Sequence, residues 1–300
     1  MSTGRDQFTQ QDPLDQHASP GSGDRTVTYP GDTGELDVRP DHGETTYRGS
    51  SRLEGKKTIV TGGDSGIGRA VALAFAREGA DVLISHLASE RPDAEETLRL
   101  VRDAGRTAVS VAGDLREQDQ CRRVVDRAVA EFGQIDVLVS NAGYQMSHDN
   151  GIFDISNENF DRVFKTNVYA LFWLAKAAVP HMKPGSSIIT TSSVQAFNPS
   201  PHLLDYATSK AAIVNFTKGL GRNLIDKGIR VNSVAPGPVW TPLIPSTFPE
   251  AKLESFGTQS PMGRAGQPAE LAPIYVFLAS QESSYITSEV LGVTGGTPIT

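Results

Sequence analysis

The fold of this chain is decided by the stretch Lys57-Thr58-Ile59-Val60-Thr61-Gly62-Gly63-Asp64-Ser65-Gly66-Ile67-Gly68. Its first five residues form a short apolar run that predicts a buried strand. The apolar residues that recur after the last glycine predict a helix over 68–78, with Gly79 as its stop. A strand, a glycine-rich turn and a helix in this order suit the binding of a dinucleotide, although an ordinary tight turn is the alternative.

Three glycines, Gly62, Gly66 and Gly68, give the turn its chemistry. One glycine allows the sharp turn after the strand, another lets the backbone approach a pyrophosphate, and the third lets helix and strand pack closely. The helix N-terminus offers free N–H groups and the positive end of its dipole to phosphates. Asp64 and Ser65 can accept hydrogen bonds from backbone donors in the turn.

Strands and helices alternate along the rest of the chain. Strands are predicted at 57–61, 81–85, 107–112, 136–140, 187–192, 229–234 and 290–294. Helices are predicted at 68–78, 92–104, 118–132, 157–182 with a break, 205–226, and from about residue 268. This alternation predicts an α/β fold: a single doubly wound parallel sheet, a Rossmann domain with helices on both faces.

Residues 1–52 differ from the domain predicted for 53–300. They are rich in Gly, Pro, Asp, Gln, Ser and Thr, and their few apolar residues follow no sustained period. Such a segment is either a disordered tail or an extended arm that lies over the domain or over a neighbouring subunit. Tyr29, Pro30 and Tyr47 could anchor such an arm.

The composition favours a protein of the cytoplasm. A net charge of −7 argues against a nucleic-acid partner, and the single cysteine, Cys121, allows no intramolecular disulfide. The first residues lack the apolar run of a signal peptide, and no run approaches the roughly 20 apolar residues of a membrane span. We therefore expect a cytoplasmic protein without a membrane partner.

No metal site is indicated by the spacing of potential ligands. Five of the six histidines show no ligand spacing with acids or with the cysteine. They are His42, His86, His148, His181 and His202.

Two predicted strands end in residues that suit a nucleotide. Asp114-Leu115 follows the third strand, and Asn141-Ala142-Gly143 follows the fourth. Ligands of such sheets bind at the carboxyl ends of the strands. Asp114 could accept a hydrogen bond from an adenine amino group, and the small Asn-Ala-Gly turn leaves room for adenosine. Each turn, taken singly, is also compatible with a plain loop.

Tyr206, Lys210 and Ser193 suit proton transfer to or from a carbonyl oxygen. Tyr206 and Lys210 are four positions apart on one predicted helix and therefore share a face. A free tyrosine has a pKa of about 10, and a nearby ammonium lowers the pKa of a phenol. Tyr206 can then give a proton to a carbonyl or take one from an alcohol. Ser193 directly follows the fifth predicted strand, on the same rim.

With these motifs the chain resembles the short-chain dehydrogenase/reductase family over about residues 53–296, and more narrowly its bacterial general-stress and aldehyde-reductase-like members. The matching positions are Thr61 to Gly68 (Ile67 included), Asp114, Asn141-Ala142-Gly143, Asn167, Ser193, Tyr206, Lys210 and Pro236-Gly237. One departure is Ser140, where the family often has a second asparagine.

The resemblance implies a catalytic tetrad of Asn167, Ser193, Tyr206 and Lys210. In this family pattern Tyr206 is the acid or base, and Ser193 binds the substrate oxygen. Lys210 lowers the pKa of Tyr206 and holds the nicotinamide ribose. Asn167 fixes a helix bend and a water that relays protons. It further implies that Val239 and Thr241 contact the nicotinamide carboxamide.

The resemblance also implies the cofactor and the substrate pocket. The cofactor is NADP(H) or NAD(H), with a lean to NADP(H), because His86 stands where an acid would bind a ribose 2′-hydroxyl. Arg91, in the following loop, is a candidate to reach that site. A substrate lid is expected at about 240–262. Gln195, Phe197, Tyr144 and Met146 are expected to line the pocket beneath it.

These observations predict an oxidoreductase that transfers hydride between NAD(P)(H) and a carbonyl or alcohol substrate. An alternative substrate is a 3-oxoacyl thioester on a carrier protein, although an acidic carrier would suit a basic rim better than a net charge of −7. A second alternative is a nicotinamide-sensing protein without turnover. By resemblance, we expect a homotetramer.

Overall fold

The computed structural model describes residues 5–17 and 25–299. Within them, seven strands form one parallel sheet in the order β3-β2-β1-β4-β5-β6-β7. The strands are β1 Lys57–Thr61, β2 Asp81–His86, β3 Ala108–Ala112, β4 Ile135–Ser140, β5 Met182–Thr191, β6 Arg230–Pro236 and β7 Val290–Val293. The predicted doubly wound Rossmann fold is therefore confirmed.

The helices cover both faces of the sheet. They are α1 Gly66–Arg77, α2 Arg91–Asp103, α3 Gln118–Phe132, α4 Asn157–Phe164, α5 Ala170–Ala178, α6 Leu204–Leu224, α7 Leu243–Thr247 and α8 Pro268–Ala279. Among the helices in the described part of the chain, none is both long and apolar enough to cross a lipid bilayer.

The helix predicted over 157–182 is the largest difference from the sequence-based expectation. It consists of α4, a π-helical turn at Lys165–Tyr169, and α5. It ends at Ala178 rather than at Met182, because Pro180 has no N–H to continue the ladder, and Met182 already belongs to β5.

Alternate residues of the strands pack against the two helical layers. Val60 and Ile84 belong to the same buried cluster as residues of α1 and α8. Ile59 and Leu83 belong to the opposite cluster, with residues of α3 and α5. Cys121 is a buried packing residue of this second cluster, as expected for a helix residue. Because both faces are covered, the carboxyl ends of the strands remain as the place for a site.

The N-terminal extension lies along the domain in residues 25–52. Its Tyr47 is buried, and the Tyr47 hydroxyl donates to Oε1 of Glu78 over 2.6 Å. The same buried carboxylate accepts from the backbone N–H groups of Ser50 and Arg52. Arg52 also donates from its guanidinium. Residues 1–4 and 18–24 of the predicted extension lie outside the described residues.

Glu78 is expected to stabilise the attachment of this extension. Burial raises the pKa of its carboxyl, but the hydrogen bonds from Arg52 and Tyr47 outweigh burial and lower the pKa to about 2. Glu78→Gln places an NH₂ group among donors and should lower the free energy of unfolding by about 2 kcal/mol in urea titrations at pH 7. The wild-type advantage should fade as the pH falls from the ordinary pKa of 4.5 towards 2.

The matched control is Glu282→Gln. Glu282 lies 3.7 Å from the same Arg52 but is half exposed, so its loss should change stability by less than about 0.5 kcal/mol. Equal effects of the two substitutions would contradict the role given to Glu78.

Candidate active site

A cleft of about 600 Å³ opens at the carboxyl ends of the strands. It lies where the strand order reverses, since β1 pairs with β2 on one side and with β4 on the other. All but two of the residues predicted for the catalytic tetrad and for cofactor binding line it. They are Gly62, Asp64, Ser65, Gly66, Ile67, His86, Asp114, Leu115, Asn141, Ala142, Gly143, Ser193, Tyr206, Lys210, Pro236, Gly237, Val239 and Thr241. The other two, Gly68 and Asn167, are buried beside the cleft.

The glycine turn after β1 assigns a separate task to each glycine. Gly62 leaves the strand at a φ of +60°, and Gly66 begins α1 at a φ of +49°, where L side chains are strained. A Cβ atom on Gly68 would lie 1.8 Å from the carbonyl oxygen of Gly62. The turn therefore requires glycine at the sharp bend, at the cleft floor and at the contact between helix and strand.

The N-terminus of α1 faces the cleft with donors available. Within the described part of the chain, the Ser65 side chain caps none of the first N–H groups of α1, contrary to the expectation that it could. Arg69 instead fixes the conformation of the turn. Its Nε donates to the carbonyl oxygen of Asp64, and its guanidinium pairs with Asp93 at 2.6 Å. These free N–H groups and the helix dipole suit an anionic phosphate.

Asn141 ties the ends of the central strands together. Its backbone N–H donates to Oγ1 of Thr61 over 2.9 Å, and its side-chain amide donates to the carbonyl oxygen of Thr61. Its Oδ1 accepts from the hydroxyl of Thr191 at the end of β5. The polar side chain at this position thus fixes the floor of the cleft.

Tyr206, Ser193 and Lys210 meet at the end of the cleft formed by β5 and α6. Burial raises the pKa of Tyr206 to about 12, and a hydrogen bond with the Ser193 side chain acts in the opposite direction. The Lys210 ammonium lies 5.3 Å from the centroid of the Tyr206 ring and donates to the carbonyl oxygen of Thr191 over 2.8 Å. Burial lowers the pKa of Lys210 to about 7.

Burial decides the net pKa of Tyr206, because the removal of the phenol from water dominates and raises it. The lowering of this pKa by Lys210 stays a prediction. The sequence shows that the two residues are one helical turn apart. It does not show how far each group is removed from water, and that removal shifts both pKa values.

Asn167 occupies the π-helical turn between α4 and α5. Its Oδ1 accepts from the backbone N–H of Tyr144 over 2.8 Å, and its Nδ2 donates to the Tyr144 carbonyl oxygen and to Oγ of Ser209. It therefore joins the loop after β4 to the helix that carries Tyr206. The predicted helix bend coincides with this turn.

Comparison with known proteins agrees with this geometry. The family model described as enoyl-(acyl carrier protein) reductase matches residues 62–298. General stress protein 39 of Bacillus subtilis (strain 168) is 47% identical and covers 90% of this chain and 94% of its own length. NADPH-dependent aldehyde reductase 1, chloroplastic, of Arabidopsis thaliana is 47% identical over 89% of this chain and 94% of its own.

A solved structure shares the fold. The crystal structure of a short chain dehydrogenase from Burkholderia cenocepacia J2315, in complex with NADP, has a TM-score of 0.76 and 32% identity. It covers 82% of this chain and 98% of that chain. The chain belongs to the short-chain dehydrogenase/reductase family. The resemblance to general-stress and aldehyde-reductase-like members of the family is confirmed as well.

The nucleotide end of this short-chain dehydrogenase/reductase carries charges that the sequence argument did not include. Glu90, Arg116 and Arg162 line the cleft, whereas Arg91 is not among the described residues that do so. Both carboxylate oxygens of Asp114 accept hydrogen bonds from Arg116. Burial raises the pKa of Asp114, but these bonds outweigh it, so the pKa lies below its usual value.

The position of Arg116, two residues after Asp114, could have revealed that ion pair from the sequence. Glu90 follows His86 by four residues and accepts from the backbone N–H of Leu87 over 2.7 Å. Burial raises the pKa of Glu90 to about 7. Burial, together with the charge of Glu90, holds the pKa of Asp64 well above its usual range. Glu90 and Asp64 thus both line the cleft, whereas the sequence analysis based the choice of cofactor on His86 alone.

The substrate end is apolar. Leu243, Ile244, Phe248 and Phe256 of the expected lid line the cleft, together with the expected Gln195. In the cleft as the described residues form it, the expected Phe197, Tyr144 and Met146 are not lining residues. Tyr144 is buried beneath the cleft, and Met146 lines a smaller cavity beside Val27.

Proposed function

We propose that this chain is an NAD(P)(H)-dependent reductase of aldehydes or ketones, which runs in reverse as an alcohol dehydrogenase. The observation that carries the proposal is the meeting of Tyr206, Ser193 and Lys210 at one end of the cleft, next to an apolar lid. The name of the Arabidopsis relative, an NADPH-dependent aldehyde reductase, supports it.

The residues of the cleft fit a dinucleotide. The positive φ angles of Gly62 and Gly66 and the uncapped N-terminus of α1 leave a cradle of backbone donors for a pyrophosphate. Lys210, Val239 and Thr241 lie where they would hold the nicotinamide end. The cofactor, when bound, supplies the hydride.

The chain itself supplies the proton and the orientation of the carbonyl. With a pKa of about 12, Tyr206 is a neutral phenol at pH 7 and serves as an acid towards a carbonyl oxygen. The Ser193 hydroxyl gives the same oxygen a second hydrogen bond, which stabilises negative charge as it develops. At neutral pH the site therefore holds the proton that carbonyl reduction consumes, whereas alcohol oxidation starts from the tyrosinate.

A second candidate is the reduction of the 3-oxo group of a 3-oxoacyl thioester on a carrier protein. The description of the matching family model, enoyl-(acyl carrier protein) reductase, favours it, and the net charge of −7 opposes an acidic carrier. Small aldehydes, ketones and a 3-oxoacyl thioester should be assayed with NADPH and with NADH. Turnover of aldehydes supports the proposal. Cofactor binding without turnover of any compound would favour a nicotinamide-sensing protein instead.

Tyr206→Phe removes the proposed acid and keeps the ring. We expect kcat for aldehyde reduction to fall by a factor of about 10² to 10⁴, while the Kd for NADPH stays within about twofold because the ring packing is kept. Steady-state kinetics and fluorescence titration measure the two quantities. Tyr285→Phe, at a fully exposed tyrosine, is the control. Undiminished turnover in Tyr206→Phe would remove this residue from the reaction.

The choice between cofactors should depend on pH through Glu90. Its pKa of about 7 leaves the carboxyl neutral below pH 7 and ionised above it, and an ionised carboxyl repels a ribose 2′-phosphate. We propose a preference for NADP(H) at low pH, with the ratio of NADPH to NADH affinity falling about tenfold from pH 6 to pH 8.

Glu90→Gln should flatten this dependence, whereas Glu95→Gln, at an exposed residue of the following helix α2, should keep it. The titration of the 2′-phosphate itself is the same in both variants. An unchanged pH dependence in Glu90→Gln would exclude Glu90 as its origin.

We further propose that the chain assembles as a homotetramer through α5 and α6. Tyr169 and Phe172 of this region are nearly half exposed, and the Phe172 ring packs edge-on against Phe216 of α6 at 6.5 Å. Phe172→Arg should lower the mass measured by light scattering to that of a smaller assembly. Phe153→Arg, at an exposed residue outside these helices, should leave the mass unchanged.

A further inference from the structure

Residues 25–36 of the N-terminal extension, here called the strap, run from one rim of the cleft to the other. The first attachment is to α7 of the lid. The backbone N–H of Val27 donates to the carbonyl oxygen of Pro245 over 3.1 Å, and the Ser246 hydroxyl donates to the carbonyl oxygen of Pro30 over 3.3 Å. Gly31 lies so close to Pro242 that a Cβ atom there would be 2.7 Å from the Pro242 carbonyl oxygen.

The second attachment is to α2. The backbone N–H and the hydroxyl of Thr33 both donate to Oδ2 of Asp93, over 2.9 and 2.8 Å. Asp93 is buried and is itself paired with Arg69 of α1. The lid follows β6 and α2 follows β2, and these strands lie on opposite sides of β1 and β4. The strap therefore crosses the carboxyl edge of the sheet above the cleft.

Between the two attachments, Tyr29 and Pro30 line the cleft itself. The half-buried Tyr29 ring packs edge-on against Tyr144 at 5.2 Å, and the guanidinium of Arg162 lies 4.8 Å from its centroid. Burial raises the pKa of Tyr29 to about 12, so the ring is an uncharged wall. The charge of Glu90 also acts on this phenol, which locates it near the nucleotide end of the cleft.

We propose that the strap is part of the cofactor site, with Tyr29 in contact with the nucleotide half of NAD(P)(H), and that it must lift for the cofactor to bind and to leave. This inference rests on the proposed function. The strap lies outside residues 62–298, which the family model matches, and it adds a wall to the cleft. A wall bonded at both rims closes over a ligand that lies along the strand ends.

Hydrogen exchange of the full chain, read by mass spectrometry with and without saturating NADPH, tests the proposal. Exchange should slow both in the peptide over 62–68 and in the strap, where the N–H groups of Val27 and Thr33 hold the two attachments. Slower exchange over 62–68 alone would overturn the role of the strap and leave cofactor binding intact. Unchanged exchange in both would overturn cofactor binding itself.

Substitutions at Tyr29 and Tyr47 distinguish a direct contact with the cofactor from a general effect on the stability of the protein. In stopped-flow displacement, Tyr29→Ala should release NADPH about tenfold faster, because removal of a buried aromatic contact acts mainly on dissociation. Tyr29→Phe keeps the ring and should restore the wild-type rate within about twofold. Tyr47→Phe, in the same extension but bound to Glu78, should leave the release rate unchanged. A wild-type release rate in Tyr29→Ala would refute the contact.

Discussion

The close approach of α1 to the turn after β1 is the constraint on which the site depends. A Cβ atom on Gly68 would meet the carbonyl oxygen of Gly62 at 1.8 Å and Nδ2 of Asn141 at 2.8 Å. The first of these is backbone, and the second belongs to an amide that is itself bonded to Thr61. Neither neighbour therefore belongs to a flexible side chain that could move to make room for a Cβ atom. This contact brings the positive end of α1 to the middle of the sheet edge, where strands on both sides contribute side chains.

Charge is divided between the two ends of the cleft. The nucleotide end holds the Asp114–Arg116 ion pair and Glu90, which accepts from the backbone N–H of Leu87. Arg162 also lines this end, with its guanidinium over the rings of Tyr29 and Tyr144. The reacting end holds a phenol and an amine that desolvation pushes towards their neutral forms. The reacting end therefore carries little fixed charge and lies next to an apolar lid. In such surroundings the remaining hydrogen-bond donors interact strongly with a polarised carbonyl.

The parts that the sequence predicted well are those set by local patterns. Apolar strands such as Lys57–Thr61 and helices such as Gln118–Phe132 follow from periodicity over a few residues. The residues after each strand meet in one cleft because parallel strands end at one edge. By contrast, Tyr29 contacts Tyr144 and Arg162, which are more than a hundred residues away along the chain, and no local pattern records these contacts. The pKa of Tyr206 likewise depends on burial by several elements at once.

The π-helical turn at Lys165–Tyr169 places one more residue between α4 and α5 than a regular helix would need. Because a π-helical turn holds about one residue more than an α-helical turn, the extra residue is absorbed locally, and α4 and α5 keep the relative faces of an uninterrupted helix. Asn159 of α4 accepts from the Tyr144 hydroxyl and donates to Asp205, whose other oxygen accepts from the backbone N–H of Tyr206. A one-residue deletion would thus close the wider turn that carries Asn167 but leave Asn159 on the same face of α4, towards Tyr144 and the start of α6. In this stretch both the number of residues and the identity of Asn167 matter.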